Sequence, residues 1–158
     1  MQPMRDILEE VIHRAEQIDS MTSVVDIRTV GRILHDLDML DAEFLDQLSG
    51  HVPALVEKIA DLKAMSGNAR LFADGLESVL QDVDELLESA ERVNATTILL
   101  FLQGLRSFLL VAAHGNQAGN DHRLQAVQDR LTALVPLAKQ WVDIGRIERT
   151  AIIDILPV

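Results

Sequence analysis

A Glu-x-x-His pair near the start of the chain, Glu10 and His13, has the spacing with which di-iron helical bundles bind their metals. Such a site needs a second pair and two further inward-facing glutamates, and the sequence contains one pair only. On a helical projection the two residues lie opposite the apolar side of their helix. We therefore expect a solvated surface here rather than a metal site.

A second group of possible metal ligands flanks the Gly/Asn-rich segment 114–120. His114 precedes this segment, and Asp121 and His122 follow it. Histidine and aspartate are zinc or nickel ligands, but no third ligand is indicated, and the chain contains no cysteine. We expect His114 to lie at a helix C-terminus and Asp121 to cap the next helix.

Phosphotransfer between a histidine and a response-regulator aspartate is an alternative signalling function. Helical domains of this kind present one exposed histidine, usually followed a few residues later by Lys-Gly. His13, His35 and His51 all lack that context. His35, beside the apolar face of its helix, and His13 are the residues on which this alternative depends.

Arg106 is the one charge in the most apolar stretch of the chain, residues 97–113. On a helical projection it shares a narrow polar stripe with Gln103, Ser107 and His114. The structural interpretation is that Arg106 reaches water or pairs with an acid from the first half of the chain. The alternative is a polar lining for a groove, in which Arg106 binds a carboxylate or phosphate and the protein carries a small apolar or anionic ligand.

Other enzyme classes are not indicated. The Gly-x-Ser-x-Gly elbow of hydrolases and the Gly-x-x-x-x-Gly-Lys phosphate loop are both absent from the sequence. We therefore expect a protein without catalytic activity and without a cofactor.

Composition and charge narrow the choice of partner. The chain has 158 residues, 48% of them hydrophobic, and a net charge of −11 that is concentrated before residue 94. An acidic surface repels phosphate backbones, so we expect no nucleic-acid binding. The charged centre of segment 97–113 argues against membrane insertion, and the acidic N-terminus lacks the features of a signal peptide. These observations predict a cytoplasmic protein whose partner is another protein or a second copy.

The elements that position these residues are predicted to be helices. Leucine, alanine and glutamate are abundant and aromatic residues scarce, a composition that favours helix over strand. Apolar spacing and turn residues divide the chain into six to eight helices in one all-α domain over residues 1–158, with 97–113 as a buried central helix. Predicted breaks fall at Ser49-Gly50, Gly67 and Gly145, and Pro136 should kink or end its helix. The other predicted helix caps are Ser23, Asp41 and Asn68, and the helix that follows Asn68 is expected to cover about residues 68–93.

The C-terminal segment carries more apolar residues than one helical face can bury. Ile152 and Ile153 point in different directions on a helix, so one of them is expected to stay exposed unless a second surface covers it. Exposed apolar patches mark interaction sites, and tryptophan is enriched at their hot spots. The candidate interface therefore comprises Trp141, Ile144, Ile147, Ile152, Ile153 and Ile155. The sequence thus favours a regulatory or protein-interaction module that can self-associate through its C-terminal helices, and packing of this segment within the bundle is the alternative.

Overall fold

A computed structural model describes residues 7, 9–13, 27–114 and 117–156 of the chain. Helix α1 includes residues 7 and 9–13, and the other helices are α2 (Ile27–Ala64), α3 (Ala69–Arg92), α4 (Thr96–Ala113) and α5 (Gln117–Ile155). No strand occurs in these ranges, so the all-α prediction is confirmed. The prediction of six to eight helices is wrong for the described residues, which form five. A predicted cap at Ser23 lies outside them.

The structure has fewer helices than predicted because α2 and α5 continue through positions at which breaks were predicted. Pro53 lies inside α2 and Pro136 inside α5, and each leaves the carbonyl four residues earlier, on Ser49 or Thr132, without a helical donor. All four residues are exposed, so water can reach these carbonyls. Local turn residues therefore do not end a helix whose apolar face on both sides of the proline is buried.

Both prolines follow the same local arrangement. The Ser49 hydroxyl donates to the Leu45 carbonyl over 2.8 Å, and the Thr132 hydroxyl donates to the Gln128 carbonyl over 2.9 Å. Each helix thus carries a hydroxyl bonded to the preceding turn, four residues before its proline.

The described chain divides into two compact units, one formed by residues 1–43 and 140–158 and the other by residues 44–139. Helices α2 and α5 contribute to both. The single-domain prediction for residues 1–158 stays a prediction.

The 44–139 unit is a four-helix bundle. Polar contacts join α2 to α3 (Lys58–Asp82), α3 to α4 (Asp84–Arg106) and α5 to α2 (Gln128 to the Val56 carbonyl), and Arg130 of α5 stacks on Phe108 of α4. The buried residues alternate at spacings of three and four along every helix, the pattern of left-handed helix packing. They are Leu48, Val52, Leu55, Ile59 and Leu62; Leu76, Val79, Val83, Leu86 and Ala90; Ile98, Leu102, Leu105, Leu109 and Ala112; and Leu124, Val127, Leu131, Leu134 and Ala138.

Two local features define the approach of α2 to α3. The Asn68 side chain accepts hydrogen bonds from the Arg70 and Leu71 amides, which confirms the predicted cap. At Gly75 an added Cβ would lie 2.7 Å from Leu62 Cδ2. Glycine at this position therefore allows the two helices to pack closely.

Helix α4 matches the predicted position of the apolar helix but is not enclosed. In a four-helix bundle each helix has two close neighbours, so one side of α4 packs inward and the other faces out. Ile98, Leu102, Leu105, Leu109 and Ala112 are buried, whereas Leu100, Leu110 and Val111 are exposed. Among the described residues, α4 is also the one helix long and apolar enough to cross a membrane, with a mean hydropathy of 1.7 over 18 residues.

Candidate interaction surface

Three isoleucines on the outer side of α5 form an exposed apolar stripe among the described residues of the 1–43/140–158 unit. Ile144, Ile147 and Ile155 are 47%, 68% and 70% exposed. Their spacing of three and eight residues places them on one side of the helix, with the partly buried Ala151 between them. We call these four residues the α5 stripe.

The other predicted interface residues have different environments. Ile152 is fully buried and belongs to the core, so its assignment to the interface is corrected. Ile153 is exposed on another side of the helix, and Trp141 is half-buried at the edge of the stripe. The structure thus brings Ile144, Ile147 and Ile155 together and separates them from the rest.

Among the described residues, the core beneath the α5 stripe is aliphatic. It consists of Val11 from α1, Ile33, Leu34 and Leu37 from α2, and Ile152 from α5, with Ile7 and Val30 packed against it. Burial of Ile152 in this cluster fixes which side of α5 faces inward. The α5 stripe is therefore left on the outside by the packing of the same helix.

A buried ion network lies in the same unit. The Arg149 guanidinium of α5 donates to Asp38 of α2 over 2.5 Å, and its second nitrogen donates to Asp41. Burial alone would lower the pKa of Arg149, but hydrogen bonds and charge from Asp38 and Asp41 outweigh it, and the pKa is raised. Gly145, one turn earlier, leaves room for the guanidinium.

Sequence reasoning missed this network. Asp41 was expected to cap a short helix, but it is buried inside α2. The missed signal is the continuous apolar spacing 34–37–41–44–48, in which position 41 falls on the buried side. Arg149 likewise lies three residues before buried Ile152. A charged residue in each of two adjacent buried stripes is the pattern that predicts a buried ion pair.

The residues considered as metal ligands lie on the surface or are partly buried. His13 is exposed and Glu10 is partly buried, and no group of three or more potential metal ligands occurs in the described ranges. His114, Asp121 and His122 are all exposed. Asp121 lies within α5, which begins at Gln117, so its predicted role as a cap is wrong.

Arg106 is half-exposed and its Nε lies 2.7 Å from Asp84 Oδ1. Gln103, Ser107 and His114 are exposed beside it on α4. The arginine thus pairs with an acid of the neighbouring helix on the surface of the bundle.

The open clefts of the 44–139 unit include two of similar volume. One, of about 360 Å³, lies between α2 and α3 and is lined by His51, Lys58 and Asp82 among others. Its lysine bonds Asp82 over 2.6 Å and Ser78 over 3.2 Å, so its charge is neutralised within the protein. The other, of about 370 Å³, is lined by apolar residues such as Phe72 and Leu80 and also by Ser66, Glu77 and Asn120. The first cleft is also lined by Glu85 and Ser89, and the Ser89 hydroxyl donates to the Glu85 carbonyl over 3.1 Å.

His35 is exposed on α2, next to the core residue Leu34. Its imidazole is thus accessible from solvent.

Comparisons with protein-family models, with curated proteins and with solved structures found no match to this chain.

Proposed function

We propose that this protein is a non-catalytic helical interaction module that self-associates through the α5 stripe. The observation that carries the proposal is the exposure of Ile144, Ile147 and Ile155 on one side of a helix whose opposite side is buried. Large aliphatic side chains that stay exposed together on a folded surface are typical of interaction sites.

The choice of a second copy as the partner follows from the distribution of charge. The chain has a net charge of −11, so two copies repel each other over most of their surface. The α5 stripe itself carries no charge, and the exposed or partly exposed charges around it are three acids, Asp143, Glu148 and Asp154, and one base, Arg146. A second acidic copy therefore meets less repulsion at this stripe than at the acidic helices.

The test is a single charge placed in the α5 stripe. Ile147→Glu puts a carboxylate where an apolar contact is expected, and Leu71→Glu is a matched control on an exposed leucine of α3. Light scattering coupled to size exclusion gives the mass of each protein across a range of concentrations. We expect wild type and the control to exceed the monomer mass of 17.5 kDa, and Ile147→Glu to dissociate at least about tenfold more readily.

A point substitution is preferable to truncation here. Removing residues 146–158 would also remove Arg149 and Ile152, which form the ion network and part of the core. Loss of fold and loss of interface would then coincide. Equal masses for Ile147→Glu and wild type would contradict the proposal.

Histidine phosphotransfer is a second candidate, favoured by the exposure of His35. Incubation with small phosphodonors followed by measurement of acid-labile phosphate tests it. His35→Gln should abolish the label and His51→Gln should not. Labelling that persists in His35→Gln would exclude this residue.

A further inference from the structure

The outward side of α4 carries no charged residue. It is formed by Thr97, Leu100, Gln103, Gly104, Ser107, Leu110 and Val111, all of them exposed. Leu100 and Val111 are 63% and 53% exposed. The single charge of the helix, Arg106, is directed to Asp84 of α3. We call the seven residues the α4 face.

An uncharged outer side is unusual for a surface helix, which normally presents charged residues to water. The neighbouring helix α3 is an internal comparison, because its exposed side carries Asp74, Glu77, Glu88 and Glu91. The α4 face is thus an uncharged strip beside an acidic helix. Over its length from Thr97 to Val111 it extends about 21 Å at 1.5 Å per residue.

The borders of the α4 face have opposite charge. On the α3 side, Glu77, Asp84 and Glu91 recur every seven residues, which places them in one row, and the Asp84–Arg106 pair shows that this row borders α4. On the α5 side, Arg123 and Arg130 are also seven residues apart. The Arg130 guanidinium lies 4.9 Å from the centre of the Phe108 ring of α4, which places this row along the other border.

We infer that the α4 face binds the α4 face of a second copy, with the two α4 helices parallel and related by a two-fold axis along them. This axis sets the acidic α3 border of each copy opposite the basic α5 border of the other. An antiparallel pairing would instead oppose acids to acids and arginines to arginines. Charge complementarity therefore selects the parallel arrangement.

The positions of the charged residues along the α4 axis agree with this parallel arrangement. Arg130 contacts Phe108 and Asp84 contacts Arg106, and these two α4 positions differ by about 3 Å along the axis. In the parallel pair, Arg130 thus lies level with Asp84 of the second copy. Seven residues earlier in each of these helices, Arg123 of one copy likewise lies level with Glu77 of the second copy.

Gly104 lies in the middle of the α4 face, and an added Cβ there would meet no atom within 4 Å. This open position allows a second helix to approach closely at the centre of the contact. Thr97 before Gly104 and Ser107 after it have short side chains, so they also leave room for a second helix. The α4 face is separate in sequence from the α5 stripe, so this inference does not depend on the proposed function.

The first test introduces charge into the α4 face. Leu100→Glu combined with Val111→Glu should raise the dissociation constant at least about tenfold by light scattering, and Leu71→Glu again serves as the control. Circular dichroism verifies that the helices remain. Unchanged association of the double variant overturns the inference, and the separate Ile147→Glu variant reports on the α5 stripe.

The second test addresses the parallel arrangement through its rim charges. Glu77→Arg and Arg123→Glu should each weaken association, by about five- to tenfold because the symmetric contact contains each pair twice. The double reversal restores opposite charges across the contact and should recover the wild-type dissociation constant. Additive weakening in the double reversal excludes the parallel arrangement.

A membrane is the competing occupant, because α4 has the length and hydropathy of a spanning helix. Flotation of the full chain with neutral phosphatidylcholine vesicles distinguishes the two. We expect the protein to stay in the unbound fraction. Co-flotation that is lost in the Leu100→Glu/Val111→Glu variant assigns the face to lipid and overturns the inference, as does a wild-type protein that is monomeric at every concentration.

Discussion

Gly145 and Arg149 lie one turn apart on α5, and a Cβ at position 145 would lie 2.9 Å from Arg149 Nη2. The guanidinium is held in this place by Asp38 and Asp41 from α2. An arginine that bonds two carboxylates cannot swing away from an added methyl group as a free side chain does. The glycine is therefore part of the ion network, although it carries no polar side chain.

Gly145→Ala should destabilise the protein. Alanine gains about 1 kcal/mol of helix propensity, but crowding a fixed side chain costs about 1–3 kcal/mol, so we expect a net loss of about 1 kcal/mol. Gly50→Ala is the control, because that exposed glycine has open space around it and should give a gain of up to about 1 kcal/mol. Urea unfolding followed by circular dichroism measures both. Equal gains at the two positions would show that the guanidinium moves freely.

Arg149→Met should be strongly destabilising. It leaves Asp41, which is buried, and Asp38, which is partly buried, without a cation, and breaking a buried pair in this way costs about 3–5 kcal/mol. Adding Asp41→Leu removes the stranded buried carboxylate and should recover most of the loss. The same unfolding measurement tests both variants. A loss below about 1 kcal/mol in Arg149→Met would mean that the network contributes little.

Arg149→Lys should make stability sensitive to alkali. The pKa of Arg149 is raised in the folded protein. Its stabilisation is therefore fully present below the ordinary arginine pKa. It is lost only in strong alkali, as the pH rises through the higher pKa of the folded state. Lysine has an ordinary pKa of about 10.4, so its contribution is lost at lower pH. We expect the difference in unfolding free energy between wild type and variant to be constant from about pH 7 to 9 and to widen above about pH 10.

Pro136→Ala should stabilise the protein. Pro136 is exposed inside α5, and alanine restores the amide that the Thr132 carbonyl lacks, so we expect a gain of about 1–3 kcal/mol. Pro53→Ala is the parallel variant in α2, where the Ser49 carbonyl gains a donor. Thermal unfolding monitored by circular dichroism measures both. Destabilisation by either substitution would show that the proline geometry is required for packing.

Arg106→Ala should change stability little. The Arg106–Asp84 pair is exposed, and such pairs contribute about 0–1 kcal/mol. We expect a change of about 0.5 kcal/mol or less in urea unfolding. A loss above about 3 kcal/mol would point to a buried charge rather than a surface pair. Asp84→Asn is the matched change on the other side of the pair.

Local sequence signals predicted α3 and α4 well. Asn68 caps α3 as expected, and both helices end within about a residue of their predicted bounds, because their ends are defined by capping and by short polar connections. Asn94, in the connection between them, has φ 57°, a conformation that asparagine adopts more readily than most residues.

The long helices were not predicted, because proline and glycine rules describe local cost and not the burial that outweighs it. The candidate surface was predicted only as a group of isoleucines. Which of them are exposed depends on Ile152 entering a core built from α1 and α2, a long-range contact that periodicity on α5 alone does not specify. The Arg149 network was missed because α2 was not predicted as one continuous helix, so Asp41 was not placed in its buried stripe.

Trp141, half-buried on α5, is the only tryptophan in a chain without tyrosine. It belongs to the 1–43/140–158 unit, so intrinsic fluorescence excited at long wavelength reports that unit alone. Far-ultraviolet circular dichroism reports all the helices. The native protein therefore contains its own optical label, and coincidence or separation of the two unfolding curves shows, without any added dye, whether the two units melt as one.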